Sequence, residues 1–176
     1  MVQIAKWTTR TFAHEVPIEL FPVVLERLRG MPPRAAALLE SVGEPLRRWS
    51  RDGSWSAQQH IGHLDDLHDL DVQRLKDYLA GAPTLSAADM TNRRTFEADH
   101  NATSTDVLLA RLRMHREELA EQLEEFDEAD AARIAVHPRL QRPLRVIDWM
   151  YFVAEHDDHH LASAREIVRE ANLPVK

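Results

Sequence analysis

Residues Leu144 to Ala171, LRVIDWMYFVAEHDDHHLASAREIVREA, read as one long helix. Trp149, Val153, His160, Ala164, Ile167 and Ala171 recur at helical spacing and form an apolar stripe. Glu155-His156-Asp157-Asp158-His159-His160 interrupts that stripe with three histidines and three carboxylates in six residues. His156 lies one turn before His160, so the two imidazoles project the same way from adjacent turns. His159 is rotated about 100° from His160, toward the polar side. An i, i+4 histidine pair at a core edge suits a metal ion, because both rings reach one point and neutral imidazole is a common ligand. A histidine on an apolar face also serves as a hydrogen-bonded core residue, so a third ligand from elsewhere in the chain is needed to separate the two roles.

The chain has 176 residues, enough for one domain with a real core, and we expect residues 1–176 to form a single helical-bundle domain. Its 44% hydrophobic and 29% charged content is that of an ordinary globular protein. The net charge of −7, with no dominant basic patch, argues against nucleic acid as a partner. The absence of cysteine excludes thiolate metal sites and a cysteine nucleophile, and leaves nitrogen and oxygen as metal ligands. No apolar run approaches the roughly 20 residues of a membrane span, and the N-terminus lacks a signal-peptide pattern. A cytoplasmic protein without a membrane partner is expected.

Outward from the last helix, three more helical regions appear. Residues 1–15 read as an irregular lead-in. Leu20, Phe21, Val24, Leu25 and Leu28 form a first stripe, which Gly30-Met31-Pro32-Pro33 interrupts. Ala36, Leu39, Val42 and Leu46 continue it, as one kinked helix or two short ones. Arg51-Asp52-Gly53-Ser54 is a loop by composition. Ser56 with Gln59 is a capping box, and Trp55 occupies the staple position before it. The second helix runs to about Leu79 with Ile61, Leu64, Leu67, Val72, Leu75 and Leu79 inward, and Gly81-Ala82-Pro83 ends it. Residues 82–103 hold a short helix or a loop over the bundle. Thr103 or Ser104 caps the third helix, whose seam is Leu108, Leu112, His115, Leu119, Leu123 and Phe126. Residues 127–143 connect to the last helix, and no run shows the alternation of a strand. Four amphipathic regions imply an all-α four-helix bundle with a long crossover between residues 79 and 104.

The second helix offers His60, His63, His68 and Asp71 along or beside its stripe. His60 and His68 lie nearer the stripe centre, whereas His63 lies on the flank, as His156 does on its own helix. Spacing alone leaves His60 and His63 as rivals for the third ligand. His115 is a further inward candidate, more simply read as a core histidine with one hydrogen bond. His14, His100 and His137 fall in loops or at edges. Asp65, Asp66, Asp157 and Asp158 read as solvated faces, of which one or two would hold a ligand's second nitrogen.

Trp55-Ser56-Ala57-Gln58-Gln59-His60-Ile61-Gly62-His63-Leu64-Asp65-Asp66 resembles the W-S-x-x-[EQ]-x-x-x-H-L-x-D signature of the DinB/YfiT-like superfamily. His156-Asp157-Asp158-His159-His160-Leu161 resembles its closing H-D-x-H-H-L motif. The likeness extends through the Arg116 region and the His137-Pro138 approach to the last helix. It implies a bundle in up-down-down-up order and a divalent metal, nickel or zinc, held by three histidines. Carried over by position, these are His63, His156 and His160. The resemblance further implies a homodimer, and a small-molecule substrate with a low-molecular-weight thiol as cosubstrate, since some members are thiol-dependent transferases.

Three neutral imidazoles leave a divalent ion its full charge and at least one open position, whereas structural sites usually close all four. The open position takes water and lowers its pKa, or takes a thiol and favours thiolate. With what the resemblance implies, a metal-dependent transferase with a small thiol is the leading expectation. A metal-dependent hydrolase at the same site is the alternative, and a non-catalytic metal-binding bundle belongs to a third class. Asp71 and His60 are candidates for a general base by position alone.

Overall fold

Four helical limbs carry the fold of the computed structural model, which describes residues 3–12 and 15–172. The first limb is α1 (Phe21–Arg29) and α2 (Met31–Glu40), followed by the short α3 (Glu44–Arg48). Pro32 and Pro33 sit in the first turn of α2, where a missing N–H costs nothing, so the limb is two helices joined at Gly30. The second limb is α4 (Ala57–Asp66) and α5 (His68–Leu79). Sequence periodicity made this one helix; the structure interrupts it at Leu67. The Ser56 hydroxyl accepts from Gln59 N–H and the Gln59 side chain accepts from Ser56 N–H, so the expected capping box forms. α6 (Arg93–Glu97) lies in the crossover, and α7 (Thr105–Glu124), capped by Ser104, is the third limb. α8 (Glu128–Ala131) and the strands β1 (Ile134–His137) and β2 (Arg142–Arg145) precede α9 (Val146–Ala171), the fourth limb.

The hairpin corrects the expectation of no strand. Ile134 to His137 pairs antiparallel with Arg145 to Arg142, and Thr84 bridges to Val136 from the crossover. Each strand has only four residues and one contains Pro143, so neither reaches the length at which alternation is legible. Leu20 and Leu79 are exposed rather than inward, and Tyr78 fills the core in place of Leu79.

Cross-limb contacts fix the direction of each helix. Gln58 bonds Thr105, Asp65 bonds Arg111 and Asp71 faces Arg116, so limbs two and three run parallel. Val16 bonds Asp148, Arg27 bonds Glu155 and Arg34 bonds Asp158, so the chain entering and forming limb one runs parallel to limb four. Arg29 meets Glu124 while Arg47 meets Thr105, and His60 meets His160 while His63 meets His156, so the other two pairings are antiparallel. The order is up-down-down-up, as the family resemblance implied. Among the described residues, no helix is long and apolar enough to cross a membrane.

The core is divided. One apolar cluster gathers Leu25, Leu28, Leu75, Leu119, Leu123 and Trp149 near the hairpin. A second gathers Leu38, Leu39, Ile61, Leu64, Leu112 and Ala164 at the other end. Between them on α9 lie residues 155–160, opposite the end of α4, the start of α5 and the His115-Arg116 pair of α7. The polar motif is thus the boundary between two greasy layers.

Gly62 sits where this layer meets the crossover. A Cβ there would stand 2.2 Å from the ring of His100, which is fully buried. Gly62→Ala must push that ring out, an overpacking cost of about 1–3 kcal/mol. We expect its melting temperature to fall by roughly 3–10 °C. Gly43→Ala, whose new atom meets only Pro45 Cδ at 3.8 Å, is expected to leave it nearly unchanged. Equal melting temperatures for the two variants in differential scanning calorimetry would contradict this packing.

Candidate metal centre

α4 and α9 cross so that His63 meets the His156–His160 pair. The ring centroids are 5.4 Å apart for His63 and His156, 4.7 Å for His63 and His160, and 4.4 Å for His156 and His160. One donor nitrogen from each lies within 4.8 Å of the others. Bonds of about 2.1 Å to a common cation would set tetrahedral donors roughly 3.4 Å apart. The Nε2 atoms of His156 and His160 are 3.1 Å apart, close to that spacing. The donor set therefore fits a divalent cation that takes imidazole nitrogen.

The rings are held from behind. His63 Nδ1 lies 3.0 Å from Thr95 Oγ1, and the Thr95 hydroxyl also bonds the Asp66 carboxylate. A carboxylate only accepts, so the hydroxyl proton goes to Asp66 and His63 Nδ1–H donates to Thr95. That fixes the tautomer and leaves His63 Nε2 as the free lone pair. Asp66 is also bonded by His100 Nε2 at 2.8 Å. Burial pushes the Asp66 carboxyl up, but the bonds from His100 and Thr95 and the charge of Arg94 hold it below its usual range. His160 Nδ1 lies 2.9 Å from His60 Nδ1. With its Nε2 turned to a cation, His160 would carry its proton on Nδ1 and donate it to His60, so His60 would back the three-histidine cluster rather than join it.

Trp55, the residue before the cap, stacks on His160 at 5.9 Å and tilts over His63 at 4.8 Å. The residue that staples the helix is also a wall of the site. On the other side the lead-in folds back, and Trp7, in a 3-10 turn at Trp7–Thr9, meets His156 at 4.7 Å and His159 at 5.6 Å. His159 is therefore half-covered and not on a free polar face. Beyond the rings opens a cavity of about 420 Å³, lined by Trp7, Trp55, Phe152 and Val153 and by Asp71, Arg74, Arg116, Arg139 and Asp157.

Several histidines and carboxylates depart from expectation. His115 is the exception and follows its simpler reading: its Nδ1 bonds Asp65 at 2.7 Å and its ring stacks on His68 at 4.0 Å, outside the His63–His156–His160 cluster. His100 and His137 are buried rather than at edges, the first against Asp66 and the second against Phe152. His14 lies outside the described residues. Asp65, Asp66 and Asp157 are buried, not solvated. Asp158 is partly covered and paired with Arg27 and Arg34. No carboxylate touches a ligand ring directly among the described contacts; Asp66 acts through Thr95. Thr95 was missed because nothing in its local sequence marks it; only the crossover's path brings it to His63.

Burial keeps the imidazoles neutral. It lowers His60 and His63 to about 4, and drives His156 and His160 well below their usual value, with neighbouring histidines adding to the effect. The charges of Arg116 and Arg139 also act on His156. Asp157 moves the other way: burial raises it to about 7 although Arg116 opposes the shift.

Residues 27–164 match the sequence pattern of the DinB superfamily. The chain belongs to that superfamily. It is 27% identical to the uncharacterized protein YuaE of Bacillus subtilis (strain 168), over 70% of this chain and 83% of YuaE. It shares the fold of YfiT from Bacillus subtilis, with a TM-score of 0.79, 20% identity, and coverage of 94% of this chain and 95% of that one. YfiT is described as a probable metal-dependent hydrolase with an unusual four-helix bundle topology.

Two predictions follow from this DinB-type geometry. Elemental analysis and zinc or nickel titration are expected to show about one ion per chain, lost in His63→Ala, His156→Ala and His160→Ala. Thr95→Val should retain the ion with roughly 10–100-fold weaker affinity, the usual effect of removing a ligand's outer partner. Full affinity in Thr95→Val would remove Thr95 from the account. The second concerns pH. His60 and His63 have folded pKa values of about 4, against about 6.5 in an unfolded chain. Between these values the unfolded chain binds protons that the folded chain does not, so stability is full above about 6.5 and falls toward pH 4. A bound cation competes with the same protons. Calorimetry should show metal raising the melting temperature at pH 7.5 and losing that effect by about pH 5, with no such metal-dependent gain in His63→Ala.

Proposed function

We propose that this protein is a metal-dependent hydrolase of small molecules, with His63, His156 and His160 as the ligands. One observation carries the reading: three neutral, convergent imidazoles form the wall of a cavity large enough for a small substrate. The description of YfiT as a metal-dependent hydrolase points the same way. A cation bound by three imidazoles supplies Lewis acidity and brings a bound water's pKa from about 15.7 toward about 7.

The chain's own residues do the rest. Thr95 and His60 hold the ligand rings in one tautomer and direction. Trp7, Trp55 and Phe152 give the cavity apolar walls that exclude bulk water, which strengthens every electrostatic contact inside. Asp157 lines the same cavity, its Oδ1 bonded by Arg116 at 3.0 Å and its Oδ2 without a hydrogen-bond partner. With a pKa of about 7, Oδ2 can take a proton from an attacking water and return it to a leaving group near neutral pH. Of the two bases expected by position, His60 is committed to His160, whereas Asp71 lines the same cavity and is raised by burial as Asp157 is.

The thiol-dependent reading has no support from the relatives described above, and the assay separates it. Protein stripped by chelator and reloaded with zinc or nickel is offered a panel of esters and amides, with and without small thiols. The expected outcome is turnover without thiol, lost on stripping, restored by reloading, and reduced at least 100-fold in His63→Ala. Turnover that requires a thiol would replace hydrolysis with transfer.

A further inference from the structure

Arg139 sits at the turn between β1 and β2 and projects into the cavity. Its guanidinium lies 5.6 Å from the Trp7 ring centroid and 5.4 Å from that of Phe152, and the Trp7 ring in turn touches His156. Its Nη2 is buried without a hydrogen-bond partner. Among the described residues no carboxylate pairs with it, and desolvation is what moves its pKa, downward. An arginine half-withdrawn from water and left unpaired is unfavourable unless something supplies the missing acceptor.

A second guanidinium shows the same deficit. Arg116 is 6% exposed and donates through Nη2 to Asp157. Its Nη1 is buried with no hydrogen-bond partner, and Asp71 Oδ2 stands 3.8 Å from it. Arg74 adds a third positive charge to the same wall, its Nε donating to Ser86 C=O. Asp71 and Asp157 line the cavity, and Asp89 at the rim is engaged by the Thr91 hydroxyl and by the N–H groups of Thr91 and Arg93. The lining therefore holds three guanidinium groups and three carboxylates, with Asp89 exposed and bonded to its own loop. Arg116 bonds Asp157 beside His156, and Arg139 rests on the Trp7 ring that touches His156, so both guanidinium groups stand close to the histidine cluster.

We propose that the cavity accepts substrates bearing a carboxylate, held by Arg139 and Arg116, with an apolar body against Trp7 and Phe152. Guanidinium matches a carboxylate through paired N–H donors, and the aromatic rings on which Arg139 rests fix its plane. This names the substrate class for the hydrolase reading and rests on it only for the reacting bond; the anion subsite is testable without turnover.

The probe pair is 4-phenylbutyrate and its neutral isostere 4-phenylbutyramide, titrated calorimetrically into zinc-loaded full-length protein and into His63→Ala. The acid is expected to bind at least 10-fold more tightly than the amide in both proteins. Arg139→Gln should reduce the preference below threefold, Arg139→Lys should keep part of it, and Arg116→Lys, which preserves charge beside Asp157, should weaken it. Equal affinity for acid and amide, including no binding of either, overturns the proposal. So does a preference that survives Arg139→Gln and vanishes in His63→Ala, since the carboxylate would then be reading the metal alone. An intact preference in a protein that hydrolyses nothing counts against the hydrolase reading and leaves the anion subsite standing.

Discussion

Uncharged imidazoles packed in a bundle interior are the constraint on which this structure turns. Burial displaces the proton affinity of His63 from about 6.5 to about 4, so charging that ring in place costs on the order of 3 kcal/mol more than in water. A lone pair kept free at such a cost is available to a cation at every ordinary pH. The ring must also be unable to spend that lone pair on a neighbour. The partners behind it enforce this: Thr95 takes the Nδ1 proton of His63, and Thr95 is itself committed to Asp66.

The divided core is what makes room for this arrangement. Leucines and alanines pack at both ends of the bundle, and the midsection is ceded to charged and polar groups. A polar layer within a core is tolerable only when its members satisfy one another. Most here do: Asp65 takes Arg111 and His115, Asp66 takes His100, and Glu155 takes Arg10 and Arg27. Three buried atoms without a hydrogen-bond partner, Arg116 Nη1, Arg139 Nη2 and Asp157 Oδ2, belong to residues that line the cavity, whereas His100 Nδ1 and Trp149 Nε1 lack a partner away from it.

Much of this was legible in the residues. Helical spacing on α9 singled out His156 and His160 and rotated His159 away, and the Ser56–Gln59 box started α4 where the structure starts it. The choice between His60 and His63 was not legible from spacing, because both lie within reach of α9 and only the crossing angle separates them. The bundle order came from a resemblance and is borne out by cross-limb contacts. What remained hidden depends on long-range placement. Thr95 reaches His63 across 32 residues, Arg139 sits on a hairpin too short to signal itself, and Trp7 arrives on a lead-in with no periodicity. Asp65, Asp66 and Asp157 read as solvated because a carboxylate's burial follows from its partners, and those partners are distant in sequence.

The parallel pairing of limbs two and three carries a kinetic consequence. Two helices that run the same way cannot be joined by a tight turn, so the chain must travel back along the bundle between Leu79 and Thr105. That return segment carries both Thr95 and His100. Its closure entropy is met only once the limbs it spans have docked. The ligand rings should therefore come together with the helices, while their orientation is set last, when the return segment settles; maturation of the binding site is a separate and later event than collapse of the bundle.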